Sequence, residues 1–67
     1  MNVTQVLERF LDFDIDLMYV VDMCGCTKSF LEEEFAQVNQ YLGWLSVMDY
    51  DLYYNVLTVY LGRTLRK

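Results

Sequence analysis

The sequence predicts an all-α fold: a compact three-helix bundle, self-associating, with helices over about residues 4–23, 30–42 and 47–61. Three observations point there. Three glycines divide a proline-free chain of 67 residues into three segments. Two of those segments open with helix-capping patterns. Apolar side chains recur at spacings of three and four, as one face of a helix requires. A chain this short makes one domain, so residues 1–67 are expected to form a single helical unit.

The first segment carries two competing periods. Residues 11–17 read Leu-Asp-Phe-Asp-Ile-Asp-Leu, an alternation that by itself predicts a half-buried strand. A longer window places Val3, Leu7, Phe10, Leu17, Val21 and Cys24 on a heptad seam whose remaining position is Asp14, with Val6, Phe13 and Val20 beside it. A lone strand between two helices would have no pairing partner, so a helix from about Thr4 to Met23 is expected. It would carry Glu8, Asp12 and Asp16 one turn apart, a like-charge row that weakens an isolated helix slightly.

The second segment begins Ser29-Phe30-Leu31-Glu32, the serine and glutamate spacing of a capping box. Glu32, Glu33 and Glu34 then put negative charge in the first turn, where the helix dipole favours it. Leu31, Phe35, Val38 and Leu42 form one apolar stripe that ends at Gly43, a candidate C-terminal stop. In the third segment Ser46 and Asp49 repeat the capping spacing, and Leu52, Tyr53, Val56, Leu57, Tyr60 and Leu61 recur as pairs every four residues. Gly62, Arg63 and Arg66 suit a helix end. The short connectors Cys24–Lys28 and Gly43–Leu45 favour antiparallel neighbours.

The AVILMFWYC set makes up 55% of the chain, with six Tyr, four Phe and one Trp. That excludes disorder. It also leaves a surplus, because a chain of this size hides only ~60% of the surface its unfolded form exposes. A second copy or another protein is expected to cover the remainder, so the chain is expected to be a homodimer, a partner-bound protein, or both.

Ten acids face five bases with no histidine, a net charge of −5. Arg63, Arg66 and Lys67 lie in the last five residues, so residues 1–62 hold ten acids against Arg9 and Lys28, a net −8. Too few bases remain to displace counterions from phosphates, and direct nucleic-acid binding is not expected. The longest uninterrupted apolar run, Leu17–Val21, is five residues, against the ~20 of a membrane span. The opening residues have no basic stretch followed by an uncharged apolar core, so no secretory leader is expected. A reduced, cytoplasmic setting fits two cysteines separated by one glycine, whose disulfide would close a strained ring.

No catalytic, cofactor or metal site is expected. Asp12, Asp14 and Asp16 match the first three positions of a calcium loop, yet Leu17 stands where that loop needs glycine and Met23 where it needs glutamate. Cys24-Gly25-Cys26 offers two thiolates where zinc wants four ligands, and is expected to be a turn with one buried thiol. Without histidine, Ser29, Ser46 and the cysteines lack an obvious base, so the chain is not expected to be an enzyme or to take a small-molecule substrate.

Two surfaces remain as candidate partner sites. Glu8, Asp12 and Asp16 would form an acidic ridge with ~6 Å steps, near the spacing of backbone phosphates. Tyr41, Trp44, Tyr50, Tyr53 and Tyr54 gather around the second connector, either capping the bundle end or offering the residue types that concentrate binding energy. The expected role is a non-catalytic protein-interaction module, a small stoichiometric inhibitor or adaptor of the kind a phage or plasmid encodes. The alternative is an acidic nucleic-acid mimic that blocks a DNA- or RNA-binding enzyme, which steep salt sensitivity would distinguish.

Overall fold

Alternation within Leu17-Met18-Tyr19-Val20-Val21 decides the architecture. Met18 and Val20 are fully buried while Tyr19 between them is exposed, the period of two that a strand produces and a helix does not. In the computed structural model, which describes residues 1–65, the chain forms a small mixed α/β fold: a four-stranded sheet with two short helices on one face. The expected all-α three-helix bundle is therefore not formed.

A first helix, α1 (Val3–Arg9), is followed by strands β1 (Leu17–Val21) and β2 (Thr27–Leu31). A 3-10 turn at Glu32–Glu34 leads into helix α2 (Phe35–Leu42), and strands β3 (Val47–Tyr53) and β4 (Val56–Leu61) complete the fold. The sheet order is β2-β1-β4-β3. Two antiparallel hairpins, β1–β2 and β3–β4, meet along a central parallel pair in which Leu17 faces Val56 and Val21 faces Tyr60.

The first expected helix is cut short, the second forms only from Phe35 to Leu42 and the third gives way to a hairpin, each for a local reason. The one expected over 4–23 stops at Arg9, after a capping box in which Asn2 Oδ1 accepts from the Gln5 N–H at 2.9 Å and Gln5 Oε1 accepts from the Asn2 N–H at 2.8 Å. The objection that a strand there would be unpartnered dissolves because two other segments also supply strands. The alternating stretch 11–17 is itself mostly loop, and only its last residue, Leu17, enters β1. Ser29 lies inside β2 rather than capping a helix, and Glu34 Oε1 instead accepts from the Leu31 N–H at 2.9 Å. The three glutamates do start the helical run, and α2 buries Val38 as its stripe requires. In the third segment, pairs every four residues arise because a hairpin folds between them: Leu52 faces Leu57 and Tyr53 faces Val56 across the turn at Tyr54-Asn55.

Val3, Val6 and Val38 from the helices meet Met18, Val20, Leu57, Val59 and Leu61 from the sheet in one buried cluster with Ile15 and Leu45. A fully buried aliphatic side chain of this kind contributes about 1.5–3 kcal/mol. The helices come unusually close at Gly43. A Cβ there would collide with the Asn39 carbonyl oxygen and Thr4 Oγ1, so glycine serves close approach rather than a left-handed stop, its φ being −60°.

Candidate functional site

Burial alternates along the two central strands, β1 and β4, so the residues between their core positions project from the sheet face away from α1 and α2, and register extends that face onto β2 and β3. Strand register sets them in three rows. One row runs Leu31, Leu17, Val56, Tyr53; the next Ser29, Tyr19, Thr58, Asp51; the third Thr27, Val21, Tyr60, Asp49. The first row is apolar throughout, the other two are centred on tyrosines, and acids stand only at the β3 edge. No row contains a base. Both helices pack on the opposite face, which leaves this one uncovered by the described helices.

At one corner of that face the β3–β4 turn presents Tyr53 and Tyr54, 67% and 83% exposed, with ring centroids 4.5 Å apart in edge-to-face contact. Tyr54 holds φ at 55°. Two-residue hairpin turns favour residues that accept positive φ, chiefly Gly and Asn. A left-handed conformation costs a residue with a Cβ about 1–2 kcal/mol. A large aromatic side chain is thus held outward at a strained position.

The aromatic residues expected to act together are divided among three places. Tyr53 and Tyr54 form the turn tip. Tyr50 lies half-buried on the helix face, 5.5 Å from the Phe10 ring, with its hydroxyl accepting from Arg9 Nη1 at 3.0 Å. Tyr41 is exposed on α2, and Trp44 follows that helix with the Arg63 guanidinium 5.4 Å from its ring centroid.

The acidic ridge is likewise not formed, because α1 ends before Asp12. Glu8 lies on the helix, Asp12 in the connecting loop, and Asp16 at the loop's end, where its carboxylate accepts from Asn55 Nδ2. These residues nevertheless share one pole of the molecule. The Glu32 N–H donates to the Asp16 carbonyl at 3.2 Å, and Glu8 and Glu32 line the same cleft. Asp12 and Asp14 belong to the loop that joins Glu8 to Asp16, and Glu33 and Glu34 follow Glu32 in the chain. The described bases are elsewhere engaged or distant: Arg9 on Tyr50, Arg63 on Trp44, and Lys28 beside a second cleft with Tyr41. Arg66 and Lys67 of the basic tail lie outside the described residues.

Asp22, not singled out by sequence patterning, is the one buried charged residue among those described. One carboxylate oxygen accepts from the Cys24 and Cys26 N–H groups at 2.9 and 3.0 Å, and the other accepts from the Leu65 N–H at 3.1 Å. The Leu65 bond leads in holding its pKa below the ordinary value of 3.8, the two cysteine amides and the Thr64 side chain add to it, and burial opposes them. Both cysteines are exposed free thiols, so neither is the buried one expected. An aspartate two residues before a cysteine and three before a glycine is a legible turn signal.

No protein-family model, curated protein or solved structure matches the chain. Among the described residues no cluster of three or more His, Cys, Asp or Glu is arranged to hold a metal ion, and no helix is long and apolar enough to cross a membrane.

Proposed function

We propose that this protein is a non-catalytic interaction module, a small stoichiometric inhibitor or adaptor, which grips a partner protein with its uncovered sheet face and the Tyr53–Tyr54 tip. The observation that carries this reading is the tip itself. Tyr54 is held outward in a conformation that favours glycine, beside a face whose first row is wholly apolar. Exposed tyrosines supply large contact area with a polar end and concentrate binding energy in interfaces.

The size of the face bears on the occupant. Four strands ~4.8 Å apart and about five residues long at ~3.3 Å each span roughly 300 Å² in projection, whereas a stable interface buries about 800 Å² per partner. Self-association by face-to-face stacking alone would be weak, and would bring together two surfaces whose charges are all acidic. A tight complex therefore calls for a partner that also wraps the turn tip and the β3 edge. Support for nucleic-acid mimicry rested on one-turn steps between Glu8, Asp12 and Asp16, and no helix carries those steps.

A photo-crosslinking amino acid placed at Tyr60, compared with one at Gln40 on the helical side, tests the reading in the cell of origin. One discrete adduct from Tyr60, absent from Gln40 and lost when Tyr53→Ser and Tyr54→Gly are added, is expected. Equal adducts from both faces, or none from Tyr60, would overturn it.

A further inference from the structure

The interaction face leaves the acidic pole unexplained, and that pole contains an apolar cleft. Between α1, α2 and the loop of residues 10–16 lies a cleft of about 360 Å³, within the ~300–1,000 Å³ of sites that bind ligands or anchor side chains. Leu7, Phe10, Phe13, Ile15 and Phe35 make its walls, and Glu8 and Glu32 stand among the lining residues. The loop that closes one side is shaped by the protein itself: the Phe13 N–H donates to the Phe10 carbonyl at 3.0 Å, and the two rings meet edge to face at 5.2 Å.

We infer that this cleft is a docking site for a cationic amphipathic segment of another protein, one that seats an apolar side chain on the phenylalanine walls and sets lysine or arginine against the acidic collar. Charge complementarity selects the occupant. The aromatic walls suit any apolar group, but Glu8 and Glu32 line the cleft without a base among its lining residues. Asp12, Asp14 and Asp16 belong to the loop that closes it, and Arg9 is turned onto Tyr50, so an anionic ligand is repelled and a neutral one desolvates the acids poorly. A flanking cation gains from every acid within a Debye length, ~10 Å at 0.1 M salt. A second copy of this chain is a poor occupant, because the body outside the tail is itself acidic. The inference stands apart from the sheet-face reading, since α1 and α2 lie on the opposite side of the sheet.

The probe is a short, capped peptide that repeats leucine and lysine pairs at helical spacing, titrated into the isotope-labelled full-length protein and followed by amide shifts. The expected shifts centre on Leu7, Phe35 and Ala36 and leave Tyr19 and Tyr60 unmoved. Affinity should fall at least about fivefold between roughly 0.05 M and 0.5 M salt. Ala36 is exposed on the cleft, so Ala36→Trp plugs it without disturbing the core. Glu8→Lys with Glu32→Lys reverses the collar, and Glu8 lies near the C-terminus of α1, where a cation suits the helix dipole. Each variant should retain the wild-type pattern of strand amides and lose peptide binding at least tenfold. Shifts that map to the sheet face, unchanged affinity in both variants, equal binding of a leucine–glutamate peptide, or no shifts at saturating peptide would overturn the inference. Apart from shifts on the sheet face, none of those results would bear on the crosslinking test above.

Discussion

Asp22 Oδ2 accepts from the Leu65 N–H at 3.1 Å, a bond between residues 43 apart that ties the end of β1 to the chain leaving β4. Its other oxygen organises the β1–β2 loop through Cys24 and Cys26. One carboxylate therefore closes two segments at the same end of the sheet, and both are expected to loosen when it is neutralised.

The acid response follows from that geometry. The Leu65 N–H first, then those of Cys26 and Cys24, hold the folded-state pKa below 3.8. A depressed carboxylate pKa contributes stability that is present above the unfolded value and is lost as pH falls through the folded one. Asp22→Asn should lower Tm by several degrees at neutral pH, and the gap to wild type should narrow steadily below about pH 4. Thermal unfolding followed by circular dichroism across that range checks it. A constant gap down to strongly acidic pH would mean that the substitution acts through packing rather than charge.

The strained turn gives a second expectation. Tyr54→Ala removes the ring contact with Tyr53 but keeps a Cβ at φ 55°. Tyr54→Gly removes the contact and the penalty together. The glycine variant should therefore be the more stable of the two by about 1–2 kcal/mol, read as a higher denaturant midpoint with an unchanged slope. If the turn is kept for binding, that same glycine variant loses partner adducts while gaining stability over the alanine one, a separation that a purely structural tyrosine would not show.

Parts of this arrangement were legible in the residues, and parts were hidden for definite reasons. The acidic start and apolar stripe of α2 are local signals, and both form. The strands were masked because Leu52-Tyr53 and Val56-Leu57 stand four apart across a two-residue turn, which imitates a helical stripe when read along one dimension. Asn and Gly cue such turns, but here Tyr54 precedes Asn55, and the aromatic residue that makes the tip interesting also conceals it. A heptad window over Leu17–Val21 hides the alternation of Met18 and Val20 with Tyr19, because pairing is non-local: whether a strand has a partner depends on segments up to 40 residues away. The apolar surplus was visible in composition, but composition does not say which face carries it. Register does, by setting Leu31, Leu17, Val56 and Tyr53 in one row.

The contact between Gly43 and Thr4 of α1 supplies the last expectation. Gly43 ends α2 where its backbone also meets α1, and the Thr4 N–H donates to the Gly43 carbonyl at 3.0 Å. Gly43→Ala would ordinarily stabilise a helical position, since alanine restricts the unfolded chain by about 0.4–1 kcal/mol relative to glycine. Here the added methyl collides with the Asn39 carbonyl, which is backbone and cannot swing aside, and with Thr4 Oγ1. Overpacking of this kind costs about 1–3 kcal/mol, which outweighs the gain, so Gly43→Ala should destabilise by about 1–2 kcal/mol in equilibrium denaturation. Pairing it with Thr4→Ala relieves only the side-chain collision and should restore no more than part of the loss. A neutral or stabilising Gly43→Ala would show that α1 and α2 have room to separate, which would also undo the fixed cleft between them.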